Sequence, residues 1–236
     1  ESDLSSAYPG SYGQMSQLEV IRGTDSRLLI GVTGSIATGK STVASMLEEL
    51  GAPIIDFDVL AHEVVEPDLP AWKDIVAFFG EQILQEDRSL DRQRLSDIVF
   101  NDMVKRKKLE SFIHPRIQEK FILQLLEITQ KDPEAIVQVV IPLLIELNLQ
   151  YLFDNLLVVH IPQEMQVKRL SKRDGITEET ALNILQSQIS IDEKVGYAEY
   201  VVHNDKTVAE TRKQVEKLWQ TLKEAQKAKK DSKLAS

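Results

Sequence analysis

The chain has 236 residues, no Cys, and 37 acidic against 28 basic side chains, for a formal net charge of −9. That length supports a sizeable core. Zero Cys excludes disulfides, thiolate metal sites, iron–sulfur clusters and a thiol nucleophile. The acidic balance argues against nucleic acid or an anionic membrane as partner. No stretch reaches the ~18 apolar residues of a spanning helix, and no basic-then-apolar leader pattern opens the chain, so the cytoplasm is the expected location.

Residues 1–26 are rich in Ser, Gly and Tyr and read as a flexible extension, with Leu18, Val20 and Ile21 available to dock. Leu28–Thr33 is a short apolar run, hence a buried strand. A Gly-rich turn leads to a helix over about 40–50, with Gly51 suited to its C-cap, and Ala52–Asp56 is a second strand. Residues 58–130 are helical in character. Ile117, Phe121, Leu125 and Ile128 recur at the spacing of a helix stripe, which Asp132-Pro133 breaks. Ala135–Ile141 and Asn155–Ile161 are further strands. Pro162 ends the latter, and a helix follows to about Lys172. Thr177–Gln188 is a helix with Thr177 as N-cap. Glu199–His203 is a last strand, and Val208, Val215, Leu218 and Leu222 mark a closing helix. The Lys-rich tail 223–236 reads as a frayed helix end.

Near-continuous Val/Ile/Leu strands alternating with helices predict an α/β fold with a parallel sheet covered on both faces. The helical stretch after the second strand is too long for a loop and is expected to form its own lobe.

Gly34-Ser35-Ile36-Ala37-Thr38-Gly39-Lys40-Ser41 fits G-x-x-x-x-G-K-[ST], after a strand and before a helix. Glycines let the backbone wrap a phosphate, loop N–H groups and the helix N-terminus face the anion, Lys40 reaches the β- and γ-phosphates, and the Ser41 hydroxyl ligates Mg²⁺. No Asn-Lys-x-Asp base-reading motif follows a strand, which argues against a GTPase. The helical insertion suggests a small-molecule kinase. Asp56-Phe57-Asp58 closes the second strand, at the edge where parallel sheets bind ligands. One Asp there can orient an attacking hydroxyl or accept its proton, while Asp56 can hold a water of the Mg²⁺ shell. The bland alternative is that one of them caps the helix beginning near Val59.

These residues, with Leu50-Gly51, Val64-Val65-Glu66-Pro67, Phe79-Gly80, His114-Pro115, Val139 through Glu146, Val158-Val159 and Gln166 through Arg173, resemble dephospho-CoA kinases over about residues 28–222. That family transfers the ATP γ-phosphate to the ribose 3′-hydroxyl of dephospho-coenzyme A. The resemblance implies a P-loop NTPase three-layer fold with a five-stranded parallel sheet, a domain over 27–222, an acceptor lobe near 60–130 and a lid near 165–195. It implies ATP and dephospho-CoA as partners and Mg²⁺ as cofactor. ATP binding falls to Gly34, Ser35, Ile36, Ala37, Thr38, Gly39, Lys40, Ser41 and Thr42, and metal binding to Ser41 and Asp56. Catalysis falls to Asp58, Lys40, Arg169 and Arg173. The two arginines, four apart, share a helix face, and their planar forks suit phosphoryl oxygens.

His114, before Pro115 at an expected helix break, is either structural or an acceptor contact. Leu143 and Leu144 wall the acceptor or simply pack, and Glu146 fixes the lid or its arginines. Gln188 and Lys194 flank a lid return. Trp72, Phe78, Phe79 and Phe112 are expected in the lobe's core, and His62 and His160 are given no role.

The chain departs from the family in three places. Ser35 stands where a second Gly is usual, which would cost stability if φ were positive there. Phe57 stands where Ala is usual. His203-Asn204-Asp205-Lys206 replaces Asp-Asn-x-Gly in a loop expected near the ATP adenine. A kinase for a nucleoside monophosphate or shikimate, or a nucleotide sensor without catalysis, are the alternative readings.

Overall fold

The computed structural model describes residue 21, residues 26–100 and residues 102–234. The strands are β1 (Leu28–Thr33), β2 (Ile54–Asp56), β3 (Ile136–Val140), β4 (Asn155–His160) and β5 (Tyr200–His203). The helices are α1 (Lys40–Glu49), α2 (Phe57–Glu63), α3 (Pro70–Phe79), α4 (Arg92–Phe100), α5 (Met103–Lys131), α6 (Gln163–Asp174), α7 (Glu178–Gln186), α8 (Ile191–Val195) and α9 (Val208–Leu234). The chain divides into two compact units. One runs up to Ile55 and resumes at Leu126, and the other is Asp56–Leu125.

The first unit is built on a five-stranded sheet of order β2-β3-β1-β4-β5. The pairs β1–β3, β1–β4 and β4–β5 are parallel, with Leu28 opposite Ile136, Ile30 opposite Asn155 and Val158 opposite Val201. The central strands are buried along their length, as parallel strands covered on both faces must be. Val43, Met46 and Leu47 of α1 and Val215, Leu218 and Leu222 of α9 close one core with Leu28, Ile30, Val140 and Leu157.

Gly31 is the thin point of β1. A Cβ there would lie 2.7 Å from Leu144 Cδ1 and 2.8 Å from Leu156 Cδ2, so only Gly admits this packing. Gln138, the one polar residue of β3, is fully buried. Its Nε2 donates to the carbonyls of Ala44 (2.8 Å) and Ala52 (2.9 Å), tying the exit of α1 to the sheet. The pairing satisfies the amide N–H groups, which would otherwise be costly to bury, while Oε1 is buried with no hydrogen-bond partner.

In the second unit Trp72, Ile75, Phe79, Ile83, Leu95 and Phe121 are buried. Trp72 Nε1 donates to the Arg88 carbonyl at 2.9 Å. Phe57, large where a small residue is usual, fills space against the Phe121 ring at 5.3 Å between centroids. Phe78, expected in the core, is 46% exposed and meets Phe79 and Phe112 edge-on.

Two expectations change. α5 runs unbroken through Pro115, so His114 sits inside a helix and not at a break. The Lys-rich tail is the end of α9. It is fixed by Lys229 to Asp154 (2.6 Å), Lys230 to Glu134 (2.5 Å) and Gln226 Nε2 to the Ser26 carbonyl (3.2 Å). Asp154 also accepts from Leu29 N at 2.8 Å, so the tail lysine neutralises a carboxylate that is already holding β1. Of the N-terminal residues expected to dock, Leu18 and Val20 lie outside the described residues. Ile21 is buried, and its carbonyl accepts from Arg27 Nη2 at 2.8 Å. Among the described residues no helix is long and apolar enough to cross a membrane.

Candidate active site

The loop between β1 and α1 closes on itself. Thr38 Oγ1 donates to the Ser35 carbonyl at 3.0 Å, and Lys40 Nζ donates to the carbonyls of Gly34 and Ser35, each at 3.1 Å. Gly34 is needed for room, because a Cβ there would lie 2.7 Å from the Val159 carbonyl oxygen. Gly39 is left-handed, with φ 86°. The loop's non-glycine residue with positive φ is Ala37 (62°), not Ser35, so the Ser35 side chain adds no left-handed strain.

The start of α1 differs from those of α2, α7 and α8. Asp56 caps α2, Thr177 caps α7 and Ser190 caps α8, each with a side-chain oxygen. The cap of α1 is Gly39, with no side-chain hydrogen bond and no acid in the first turn. A helix start with its first N–H groups uncapped and its positive dipole end exposed favours an anion. Ser41 and Thr42 stand exposed on that first turn.

Arg169 of α6 lies beside this loop. Its Nη2 donates to the Asn204 carbonyl at 2.8 Å, and its Nη1 is 3.9 Å from where a Gly39 Cβ would be. Arg173 does not share this setting. It is exposed and forks onto Asp174 at 2.6 and 2.9 Å. That hydrogen bonding raises Arg173 above its ordinary pKa and holds Asp174 below its own. The sequence spacing put both arginines on one face, but the adjacent Asp turns Arg173 outward.

In the loop after β5, Asn204 is buried against the phosphate loop. Nδ2 donates to the Thr38 carbonyl at 2.9 Å, and Oδ1 accepts from Thr211 Oγ1 at 3.0 Å. His203, on the other side, is exposed. Its Nδ1 lies 3.2 Å from His160 Nδ1, and His160 Nε2 lies 3.0 Å from Asp192 Oδ1. His160 therefore joins β4, β5 and α8, a role its lone position in the sequence did not suggest.

Leu144 is fully buried over Gly31 and is a core residue, not an acceptor wall, whereas Leu143 is 38% exposed. Glu146 holds the return after α7 and, among the described residues, meets no arginine. Its Oε1 receives Lys194 Nζ at 2.7 Å and Ile189 N at 3.3 Å. Lys194 is fully buried and also donates to the Pro142 carbonyl (3.3 Å), which Thr33 Oγ1 reaches at 3.1 Å. Ser35, Gln163, Gln166, Gln188, Ser190 and Asp192 border a polar cavity of about 300 Å³.

In the second unit the helix cap is Asp56, not Asp58. Asp56 Oδ1 accepts from Asp58 N (2.8 Å) and Val59 N (3.4 Å). Asp58 is exposed on the first turn of α2, and His114 is exposed on α5. His62 Nε2 lies 2.9 Å from Arg92 Nη1.

The family model described as dephospho-CoA kinase matches residues 28–210. The chain belongs to the dephospho-CoA kinase family. A dephospho-CoA kinase of Syntrophus aciditrophicus is 47% identical over 195 residues, covering 83% of this chain and 83% of that one. One from Listeria monocytogenes is 45% identical over 186 residues, covering 79% and 92%. Among solved structures, a Thermus thermophilus protein superposes with TM-score 0.68 at 31% identity, covering 81% of this chain and 95% of that one. The dephospho-CoA kinase of Campylobacter jejuni gives 0.58 at 31%, covering 84% and 98%. The phosphate loop, Arg169 and the buried Asn204 all lie inside the span that matches the dephospho-CoA kinase family.

Proposed function

We propose that the chain transfers the γ-phosphoryl group of ATP to the ribose 3′-hydroxyl of dephospho-CoA, giving CoA and ADP. The observation that carries this reading is the uncapped start of α1 behind the closed loop 34–39, in a chain of this family. Phosphoryl transfer asks the protein chiefly to position reactants and neutralise charge. The loop N–H groups and Lys40 are placed to hold the β- and γ-phosphates. Lys40 would exchange the carbonyls of Gly34 and Ser35 for phosphate oxygens. Arg169, already at the loop, adds a second cation where charge develops. Arg173 can serve only after leaving Asp174, so Arg169 is the main lid cation.

The residues present fit Mg²⁺. The exposed Ser41 hydroxyl and the Asp56 carboxylate, whose cap engages Oδ1, are hard oxygen donors. Mg²⁺ typically takes one or two protein oxygens and completes its shell with phosphates and water. Bound with ATP, it supplies charge neutralisation at the β- and γ-phosphates.

Membership of the dephospho-CoA kinase family supports Asp58, exposed on the first turn of α2, as the group that orients the acceptor hydroxyl. His114 and Leu143, both exposed, remain the proposed acceptor contacts. An absence of oxidisable Cys suits the cytoplasm as its location. An acceptor panel tests the reading, measuring ADP formed from ATP and Mg²⁺ with dephospho-CoA, AMP, shikimate or no acceptor. Turnover with dephospho-CoA alone is expected. Faster turnover with AMP or shikimate would overturn it.

A further inference from the structure

We infer that Asn204 is the positioning residue that sets both the phosphate loop and the lid arginine, and that it does not read the adenine base. This rests on the reading of loop 34–41 as the ATP phosphate site. The residue sits in the loop where the chain departs from its family's usual pattern, and its side chain turns inward. It is 9% exposed, and each of its polar groups is engaged. Nδ2 donates to the Thr38 carbonyl (2.9 Å), and Oδ1 accepts from the fully buried Thr211 hydroxyl (3.0 Å). The backbone N–H donates to the His160 carbonyl (2.9 Å), and the backbone carbonyl accepts from Arg169 Nη2 (2.8 Å).

The consequence follows from peptide geometry. A trans peptide is planar, with C=O and N–H pointing in opposite directions. Pulling the Thr38 carbonyl toward Asn204 therefore aims the Gly39 N–H the other way, away from Asn204. Gly39 is required for this contact. It has φ 86°, and a Cβ would lie on top of Asn204 Nδ2. The side chain must donate and accept at once in a buried space, which an amide does and a carboxylate or an alkyl group does not. The same residue presents its carbonyl to Arg169. One loop thus fixes a phosphate-loop N–H and a guanidinium relative to each other before nucleotide arrives, the preorganisation on which charge stabilisation depends.

The test compares the parent with Asn204→Asp, Asn204→Ala and Thr211→Val, all assayed well below their melting temperatures. Calorimetric titration with ADP reads the loop whether or not dephospho-CoA is the acceptor, so failure of the kinase reading leaves this test intact. ADP affinity should fall about 10-fold or more in both Asn204 variants and by a smaller factor in Thr211→Val, as expected when a preorganised donor is lost. In turnover, kcat/KM should fall by the same factor for ATP and GTP, with the acceptor KM within about twofold of the parent. A change in the ATP/GTP ratio would overturn the inference in favour of a base contact. Lowered melting temperatures with parental ADP affinity would overturn it in favour of packing alone. If Asn204→Ala does not fold, the isosteric Asn204→Asp and the Thr211→Val variant carry the same comparison.

Discussion

Replacing Lys194 with Met removes a cation that is fully buried in α8 and leaves its partner behind. Glu146 Oε1 loses the 2.7 Å ammonium contact and keeps only Ile189 N at 3.3 Å, while its Oε2 is buried with no hydrogen-bond partner. Breaking a buried pair from one side costs about 3–5 kcal/mol, mostly the penalty of the orphaned charge. Glu146 retains 18% side-chain exposure and one N–H donor, so the cost should lie at the lower end, about 3 kcal/mol. At roughly 2–4 °C per kcal/mol for a chain of this size, the melting temperature should fall by roughly 6–12 °C. Lys194→Met with Glu146→Leu removes the orphan and should recover most of the loss, leaving about 1 kcal/mol for the unpaired Ile189 N–H. Urea titration and calorimetry of parent, single and double variants read this directly. A double variant as unstable as Lys194→Met, or a single variant within about 1 kcal/mol of the parent, would show that no buried charge is orphaned at Glu146.

Three further outcomes follow from the same geometry. Ala37→Gly relieves a left-handed residue (φ 62°) and should stabilise the free protein by up to about 1 kcal/mol, seen as a higher urea midpoint. Asp56→Ala removes the α2 cap and should cost about 1 kcal/mol without nucleotide, and it should also raise the Mg²⁺ concentration needed for half-maximal turnover. Glu210 accepts from Thr207 Oγ1 at 2.7 Å and Thr207 N at 3.2 Å, and the hydroxyl bond first, then the backbone bond, hold its carboxyl below the usual value. Its contribution is therefore present above the ordinary Glu pKa and is lost as pH falls through the depressed one. Thr207→Ala should flatten the acid side of the stability curve, and an unchanged curve would contradict this.

The sheet was legible because its strands are short apolar runs between Gly and Pro signals, and because the phosphate loop places β1 and α1 around itself. What the sequence hid depended on distant partners. Asn204 reads as part of a loop that diverges from the family pattern, and its amide contacts with Thr38 and Thr211, 166 and 7 residues away, have no local signal. Lys194 read as one more charge beside the lid because nothing local marks a buried lysine. Arg173 matched Arg169 by helical period, but the neighbouring Asp174 decides its direction. With the helix read as beginning near Val59, either Asp56 or Asp58 fits as its cap, whereas it begins at Phe57 and Asp56 caps it. Pro115 reads as a break from propensity alone, yet the helix continues around it. The Lys-rich tail lacked an apolar stripe, and acids at 134 and 154 hold it instead.

The identity of the product decides whether the chain phosphorylates dephospho-CoA. The chain is incubated with ATP, Mg²⁺ and dephospho-CoA, and the acceptor is recovered for mass and ³¹P NMR analysis. One added phosphoryl group is expected, on the ribose 3′-oxygen, with one ADP formed per CoA. ADP release with unmodified dephospho-CoA, or phosphorylation at another position, would contradict it.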